Sequence, residues 1–345
     1  MRAFIWQARG AKRATRHLGV LLALLIASCP AAIGAEGDDP VVVKTGVYIS
    51  GINDFDIREG SYEFTGYLWF RWRERLPAGT NNRIDFVLVN GEMLAIDDVT
   101  VREHDGWYRQ SHRFTAELRN AFPLHKYPFD RQELAMVIEH RWLGTDHVVF
   151  QPDEQALPST ALAEAALGPD VQVRDWSIIE DEVAHTSRVQ EYSTNFGWLN
   201  PNQWDRQSSR YALQIPMDRS LMPYIIKSVV PLTIIVLMSF CVFYIDATEF
   251  QAQISITITA LLSAIAFHIS QANTLPKVGY LVVADIFYLL SYLVIFLALV
   301  QVIVTHVIHH RGHRHRAERI DDYSRIAFPV IFFLPIGYLI AYGYQ

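Results

Sequence analysis

The segment Gln251–Lys277 reads QAQISITITALLSAIAFHISQANTLPK, and its polar residues decide the fold. It is long enough to cross a membrane, yet polar side chains recur along it at helical spacing. One helix face carries, in order, Gln251, Ser255, Thr259, Leu262, Ala266, Ile269 and Asn273. A polar stripe in lipid is costly unless it faces protein or water. We therefore predict that this face lines a water-filled pore.

The C-terminal part of the 345-residue chain concentrates the apolar residues, which make up 51% of the sequence. Four segments there have the length and composition of membrane helices. They are predicted at about 223–245, 251–275, 282–308 and 326–344, with a cytoplasmic loop at 309–325. Residues 221–345 are thus expected to form a four-helix transmembrane domain.

The N-terminus has the pattern of a secretory signal. Basic residues up to Arg16 precede a short apolar run, Leu18–Ala27, and small residues follow it. We assign 1–35 to a signal peptide; a first membrane helix is the alternative, which the short run disfavours. Residues 26–29, ending in Cys29, resemble a bacterial lipobox, so lipidation of Cys29 stays open.

The distribution of positive charge predicts the orientation of the membrane helices. The connection between the third and fourth helices carries five arginines, whereas the connection between the second and third carries only Lys277. Because lysine and arginine accumulate on the cytoplasmic side, the segment after the signal is exported.

The exported region, 36–220, alternates apolar and polar residues in short runs such as Tyr62–Trp72. Turn dipeptides separate the runs, among them Asn90-Gly91 and Asp105-Gly106. Nine or ten strands at this spacing predict an antiparallel β-sandwich. The Ala-rich stretch Pro158–Leu167 is expected to be a loop with a helical turn.

Several function classes find no support in the sequence. It contains no G-x-S-x-G, no H-E-x-x-H and no phosphate-binding glycine loop, so we predict no enzyme and no cofactor. The basic residues sit in one short connection of a chain with net charge −6, which indicates no nucleic-acid partner. The histidines between His306 and His315 lack tetrahedral spacing, so we interpret them as a solvated loop and predict no metal site.

Three local patterns accompany this order of domains. The first is FPLHKYPFDRQ at Phe122–Gln132, the second is Arg219 before a first helix containing Pro231, and the third is Leu275-Pro276-Lys277 after the pore segment. Together they resemble the pentameric ligand-gated ion channels, or Cys-loop receptors. Asn120 and Leu134 stand where the animal receptors have cysteines, which is similar to the bacterial branch.

This resemblance implies a homopentamer in the bacterial inner (plasma) membrane, with the β-sandwich in the periplasm. It implies inorganic ions, membrane lipid and a small-molecule agonist or a proton as partners. An anion-selective channel, a non-conducting membrane receptor and a solute-binding protein with a membrane anchor remain as alternatives.

The resemblance also implies roles for the pore residues. Gln251 lies at the cytoplasmic mouth, Ser255 and Thr259 form hydroxyl rings, and the apolar section from Leu262 to Ile269 is the gate. Glu249 and Gln251 are the selectivity candidates, and Glu249 favours cations. His268, inside the membrane but off this face, is either a proton sensor or a histidine bonded to a neighbouring helix.

Two further groups of residues follow from the resemblance. The expected coupling residues between the domains, with Asp130 and Arg219 as a pair, are Asp56, Glu59, Tyr127, Pro128, Phe129, Asp130, Arg219, Pro276 and Lys277. The aromatic ligand-binding candidates are Trp142, Tyr192, Phe196, Trp198 and Trp204, opposite Trp107 and Tyr108 of a neighbouring subunit. Trp69 and Trp72 are weaker candidates, since at least one of them is expected in the sandwich core.

Overall fold

The computed structural model describes residues 39–97, 100–194, 207–272 and 278–343. The predicted signal peptide at 1–35 lies outside the described residues, as do Phe196, Trp198, Trp204, Asn273, Pro276 and Lys277.

The exported region forms strands in which buried and exposed residues alternate, as in β2. Their bounds are β1 Val41–Asp56, β2 Ser61–Trp72, β3 Phe86–Leu88, β4 Gly91–Ile96, β5 Thr100–His104, β6 Trp107–Arg119, β7 Arg131–His140, β8 Val148–Pro152, β9 Trp176–Ile178, β10 Ala184–Glu191 and β11 Gln207–Arg219. Alternation of this kind places one face of each strand against a core and the other toward solvent.

Two sheets make up the sandwich. One has the order β4-β6-β2-β1-β8, with β5 also on β6, and the other has β10-β11-β7-β3, with β9 also on β11. The predicted fold class, an antiparallel β-sandwich followed by membrane helices, is confirmed. One pairing departs from it, because β1 and β8 run parallel, with Val41 beside Val148.

The core between the sheets is rich in aromatic side chains. Trp72 is fully buried in it, whereas Trp69 is half-buried at its edge. Tyr62 joins the two sheets, since its hydroxyl donates to the carbonyl of Ala135 at 2.7 Å and accepts from the Ala135 amide at 2.9 Å. The Ala-rich stretch forms a short 3-10 turn, Ser159–Ala161, and the one-turn helix α1, Leu162–Ala166, which packs on the same core.

The C-terminal region is helical. Its elements are α2 Leu221–Tyr224, a π-helical turn Ile225–Val229, α3 Val230–Phe240, a 3-10 turn Cys241–Tyr244, α4 Phe250–Ala272, α5 Val283–His310 and α6 Arg314–Gly343. Among the described residues, three helices are long and apolar enough to cross a membrane, at Leu221–Tyr244, Phe250–Gln271 and Val283–His310. The uncharged second half of α6 contains the fourth predicted span.

Pro231 explains the irregular first helix. A proline has no amide hydrogen, so it cannot donate to the carbonyl four residues earlier, which belongs to Lys227. The chain responds with the π-helical turn Ile225–Val229 immediately before α3. The side-chain nitrogen of Gln271 on α4 approaches the Lys227 carbonyl at 3.5 Å.

The predicted cytoplasmic loop at 309–325 is wrong for most of its length. The chain turns at Gly312, which has a φ of 82°, and is helical again from Arg314. Charged residues hid this helix from a search for apolar runs. Its inner face is nonetheless buried, and Asp321 there accepts a hydrogen bond of 2.6 Å from Gln301 of α5.

The helices pack in a definite order. α4 packs against α3 and α5, and α6 packs against α5, α3 and the turn after α3. The α3–α5 pair therefore stands between the predicted pore helix and α6.

Candidate functional site

The predicted pore face of α4 is uncovered in the single subunit. Its described members, Gln251, Ser255, Thr259, Leu262, Ala266 and Ile269, are all exposed. Leu262 and Ile269 are 61% and 62% exposed, which is unusual for apolar residues inside a packed helical domain. This face is available to line a channel or to meet another surface.

The opposite face of α4 holds polar residues that the sequence analysis missed. Gln253 is buried and donates to the carbonyls of Val242 and Ile245, at 3.1 and 3.0 Å, at the end of the first helix. Thr257 is also buried, and its hydroxyl donates to the Gln253 carbonyl at 2.8 Å. Their spacing of four residues was the available signal, because it continues through the small Ala260.

Glu249 does not share a helix face with Gln251. It immediately precedes α4, and its carbonyl accepts the amides of Ala252 and Gln253. Two residues of α-helix correspond to a rotation of about 200°, so the two side chains leave the first turn in nearly opposite directions. Asp246 in the same connection accepts from the Thr248 amide and hydroxyl, and the amide bond leads the causes that lower the pKa of Asp246.

Asp130 and Arg219 meet in a buried, two-pronged ion pair at the membrane end of the sandwich. The Arg219 Nε lies 2.7 Å from Oδ1 of Asp130, and a terminal nitrogen lies 2.9 Å from Oδ2. Gln132 donates a further bond of 2.7 Å to Oδ2. The paired and hydrogen-bonded geometry satisfies a charge that would be costly alone in this position.

Aromatic rings surround the arginine of this pair. The Arg219 guanidinium lies 4.2 Å from the ring centre of Trp176 and 4.8 Å from that of Tyr127. Burial raises the pKa of Tyr127, and the positive charge of Arg219 partly opposes that shift. Tyr127 in turn packs edge-on against Tyr224 of α2, so the pair is connected to the first membrane helix.

The same loop contacts the chain that leads into α5. The amide of Leu124 donates to the Tyr280 hydroxyl at 3.0 Å, and the His125 ring stacks on Tyr280 with centres 3.8 Å apart. The Tyr127 carbonyl accepts the amide of Ala284 at 3.1 Å. The loop therefore touches two separate membrane-domain elements, which a coupling element needs to do.

Pro128 and Phe129 complete this junction. The Tyr127–Pro128 peptide bond is cis, and the Phe129 amide donates to the Lys126 carbonyl at 2.7 Å. Both residues border an apolar cavity of about 170 Å³ at the top of the helices, together with Tyr224.

Asp56 and Glu59 shape the turn between β1 and β2. The Asp56 carboxylate accepts the amides of Arg58 and Glu59, at 2.7 and 3.4 Å. Since Lys277 lies outside the described residues, a role for either acid in domain coupling stays a prediction.

Tyr192 belongs to a polar cluster at the membrane-distal end of the second sheet. Its hydroxyl lies 2.9 and 2.8 Å from the two oxygens of the buried Glu139, which also forms a close ion pair with Arg210. Burial is the leading cause that raises the pKa of Tyr192.

Trp142 is 65% exposed, and its indole nitrogen donates to Asp85 at 3.0 Å. The short loop that carries it is held by His140, whose Nδ1 accepts the amides of Trp142 and Leu143, at 3.1 and 2.9 Å. Burial lowers the pKa of His140 to about 4, so the ring is neutral and able to accept both bonds near pH 7.

Trp107 and Tyr108 lie on the other sheet, at the start of β6. The guanidinium groups of Arg71 and Arg73 lie 5.3 and 4.6 Å from the Trp107 ring centre, and Tyr108 stacks on the buried Trp72. Trp107 already binds cations of its own subunit. A ligand site that combines these residues with Trp142 and Tyr192 would need two subunits, because the two groups belong to different sheets.

His268 has partners on α5. Its Nδ1 lies 2.8 Å from the Tyr292 hydroxyl, its ring stacks on Tyr288, and its Nε2 lies 3.8 Å from Asp285. Both nitrogens face hydrogen-bonding groups, so the sensor and the bonded histidine remain open alternatives. Within the described ranges, no group of three or more His, Cys, Asp or Glu is placed to hold a metal ion.

Comparisons with known proteins agree with this arrangement. The family described as the neurotransmitter-gated ion-channel transmembrane region matches residues 228–318. A proton-gated ion channel of Gloeobacter violaceus is 26% identical over 315 residues, which cover 86% of this chain and 82% of that protein. The chain belongs to the pentameric ligand-gated ion channels. This family is embedded in membranes and is not a family of enzymes.

Two animal receptors are also similar to this channel. The gamma-aminobutyric acid receptor subunit beta-4 of Gallus gallus is 22% identical over 313 residues, and the gamma-aminobutyric acid receptor subunit beta of Lymnaea stagnalis is 22% identical over 296 residues. The aligned regions are 84% and 77% of this channel but 60% and 56% of the receptor subunits.

Proposed function

We propose that five copies of this channel surround one ion pathway lined by α4. The observation that carries the proposal is the face of α4 that the single subunit leaves uncovered, polar at Gln251, Ser255 and Thr259 and apolar from Leu262 to Ile269. One such stripe cannot enclose water, whereas a closed ring of identical subunits can. The packing of Gln253 and Thr257 on the opposite side supports this rotation of the helix.

The gate in this proposal is the apolar section of α4. Rings of Leu262, Ala266 and Ile269 would exclude water when narrow, and hydroxyl rings at Ser255 and Thr259 would replace part of an ion's hydration shell. The coordination of ions by these side chains belongs to the pentamer and is part of the proposal.

Opening is proposed to start in the sandwich, by a proton or a small molecule, and to reach α4 through the junction. The names of the relatives support both kinds of agonist, since one is proton-gated and two are receptors for gamma-aminobutyric acid. The Asp130–Arg219 pair and its contacts to Tyr224 and Tyr280 supply the physical connection. Two arrangements of this junction would have to differ in their affinity for the agonist.

We place the sandwich in the periplasm and the helices in the bacterial inner membrane. The arginines between Arg311 and Arg325 follow α5, and a cytoplasmic position for them agrees with the charge rule for membrane proteins.

The pore assignment is tested by current recordings from channels in lipid bilayers while pH and small amines are varied. Leu262→Ser should wet the apolar section, so it should raise the resting leak or shift activation to lower agonist concentration. Leu293→Ser is the matched control, because Leu293 is a 53% exposed apolar residue on α5 rather than α4. Equal behaviour of the two variants would place Leu262 outside the pore.

Selectivity for cations is proposed to come from a ring of Glu249 at the cytoplasmic mouth. Reversal potentials in a sodium chloride gradient should lie near the sodium potential and move away from it in Glu249→Gln. Asp246→Asn removes an exposed carboxylate from the same connection and should shift the potential less. A wild-type reversal near the chloride potential would instead show an anion channel.

A further inference from the structure

The first half of α6 has two distinct faces. Ala317, Asp321 and Ser324 are buried against the rest of the subunit. On the opposite face, Arg316, Arg319 and Tyr323 are exposed, Tyr323 by 76%. Because these positions are three or four residues apart, each set lies on one side of the helix.

The exposed face continues into the apolar half of α6. After Tyr323 it presents Ile326, Val330 and Leu334, which are 71%, 51% and 68% exposed. Along the helix the order is therefore basic, aromatic, aliphatic. This is the order of chemistry that a lipid presents from its headgroup to its acyl chain, with aromatic rings preferred at the boundary.

The spacing along the axis fits one leaflet. The uncharged run 326–343 is about 27 Å long as a helix, close to the hydrocarbon thickness of about 30 Å. Arg319 lies about 10 Å before Ile326, at the level of the headgroups when the aliphatic run is in hydrocarbon. Arginine side chains are long enough to reach phosphates there.

The arginines of this face differ from their neighbours in being unpaired. Glu318 is bonded to Arg314 at 2.9 Å, and Asp322 is bonded to Arg325 at 2.8 Å. In the part of the chain that the structure describes, Arg316 and Arg319 have no such carboxylate. Their guanidinium groups are free to bind a phosphate with paired hydrogen bonds.

We propose that Arg316, Arg319 and Tyr323 form a binding site for an anionic phospholipid in the leaflet where α6 begins. The phosphate lies on the two guanidinium groups, the glycerol region meets Tyr323, and an acyl chain follows Ile326 and Val330. Since α6 packs on the side of the α3–α5 pair away from α4, this surface faces outward and is accessible to lipid.

The site is tested on the full-length protein in nanodiscs of phosphatidylcholine with phosphatidylglycerol. Retained lipid is measured by native mass spectrometry, which reads binding without any channel current. Wild-type protein should retain phosphatidylglycerol in preference to phosphatidylcholine. Loss of two guanidinium groups in Arg316→Gln/Arg319→Gln should reduce that retention about tenfold or more.

Arg314→Gln is the control, since it removes the same charge from the same turn but on the face toward Glu318. Retention of phosphatidylglycerol by this variant should stay close to wild type. An equal loss in Arg314→Gln would show general charge attraction and overturn the site, as would unchanged retention in the double variant. Size-exclusion chromatography must first show that each variant has the wild-type oligomeric state.

Soluble glycerol phosphate separates a lipid from a free anion. An excess of it should leave phosphatidylglycerol bound, because it cannot use the aliphatic part of the surface. Displacement of the lipid by glycerol phosphate would overturn the proposed lipid site in favour of a simple anion site.

Discussion

The guanidinium of Arg219 grips both carboxylate oxygens of Asp130 while one of its flat faces lies 4.2 Å from the centre of the Trp176 ring. Asp130 is 4% exposed, so the pair is essentially removed from water. One residue ends the loop before β7, and the other ends β11 just before the first membrane helix. Any movement between sandwich and helices must therefore carry this pair along or break it.

Asp130→Asn should destabilise the protein strongly. The substitution leaves Arg219 buried without its counter-charge, and breaking such a pair costs about 3–5 kcal/mol. Thermal unfolding of the purified channel in detergent measures the effect. Arg131→Gln is the comparison, since it breaks an ion pair with the exposed Glu182 and should change the melting temperature little.

The exchange variant Asp130→Arg/Arg219→Asp tests whether the two residues act as a pair. It should recover part of the stability or gating lost in each single variant. If the exchange restores nothing, direct pairing does not explain the single losses, because coupled residues must show a non-additive energy.

Tyr62→Phe should weaken the contact between the two sheets. The hydroxyl satisfies both the amide and the carbonyl of Ala135, and Phe would leave those buried groups unpaired. The expected cost is about 1–3 kcal/mol, seen as a lower melting temperature with unchanged secondary structure by circular dichroism. Tyr67→Phe, at a 46% exposed ring on the same strand, should be close to neutral; similar losses in both variants would contradict the role of the Tyr62 hydroxyl.

Local patterns were sufficient to predict the sandwich and the apolar helices. Alternation in β2 and the apolar run in α5 are properties of neighbouring residues, so they can be read without knowing the fold. The start of α6 could not be found in this way. Its buried Asp321 and Ser324 look like loop residues until α5 supplies Gln301 and a packing surface.

Contacts between distant residues were predictable only where a family pattern joined them. Asp130 and Arg219 are separated by 89 positions, and the resemblance alone suggested their pairing. No pattern pointed to His140 as the support of the Trp142 loop or to Gln253 as the partner of the first helix. Both depend on a backbone group that only the folded chain brings within reach.

Stability should depend on pH through His140. Burial lowers the pKa of its folded form to about 4, from an ordinary value of 6.5. The unfolded chain therefore binds the proton more readily than the folded one between these values. The stabilising contribution is complete above pH 6.5, falls as pH decreases toward 4, and amounts to about 3 kcal/mol in total.

His140→Asn isolates this contribution. The side-chain oxygen of asparagine accepts hydrogen bonds in place of Nδ1 but does not titrate in this range. The difference in melting temperature between wild type and variant should shift by several degrees in favour of the variant between pH 7 and pH 4.5. His104→Asn, at a histidine whose side chain is 90% exposed, should give a curve parallel to wild type; a parallel curve for His140→Asn would refute the prediction.

The rotation of α4 can be measured by cysteine accessibility in a Cys241→Ser background. Thr259 is exposed, whereas Thr257 is buried and bonded to the carbonyl of Gln253. A charged methanethiosulfonate reagent should modify Thr259→Cys and alter the current, since the reagent travels through water. It should leave Thr257→Cys unmodified, although the two positions are only two residues apart.

Leu293→Cys completes this experiment, because it separates exposure to water from exposure to lipid. Its side chain is uncovered on α5, but a charged reagent does not enter hydrocarbon, so no modification is expected. Equal rates at Thr257→Cys and Thr259→Cys would mean that α4 is rotated relative to the arrangement described above. Fast modification of Leu293→Cys would mean that the outer surface of α5 is wetted, and the pore would then have to be sought between α5 and its neighbours.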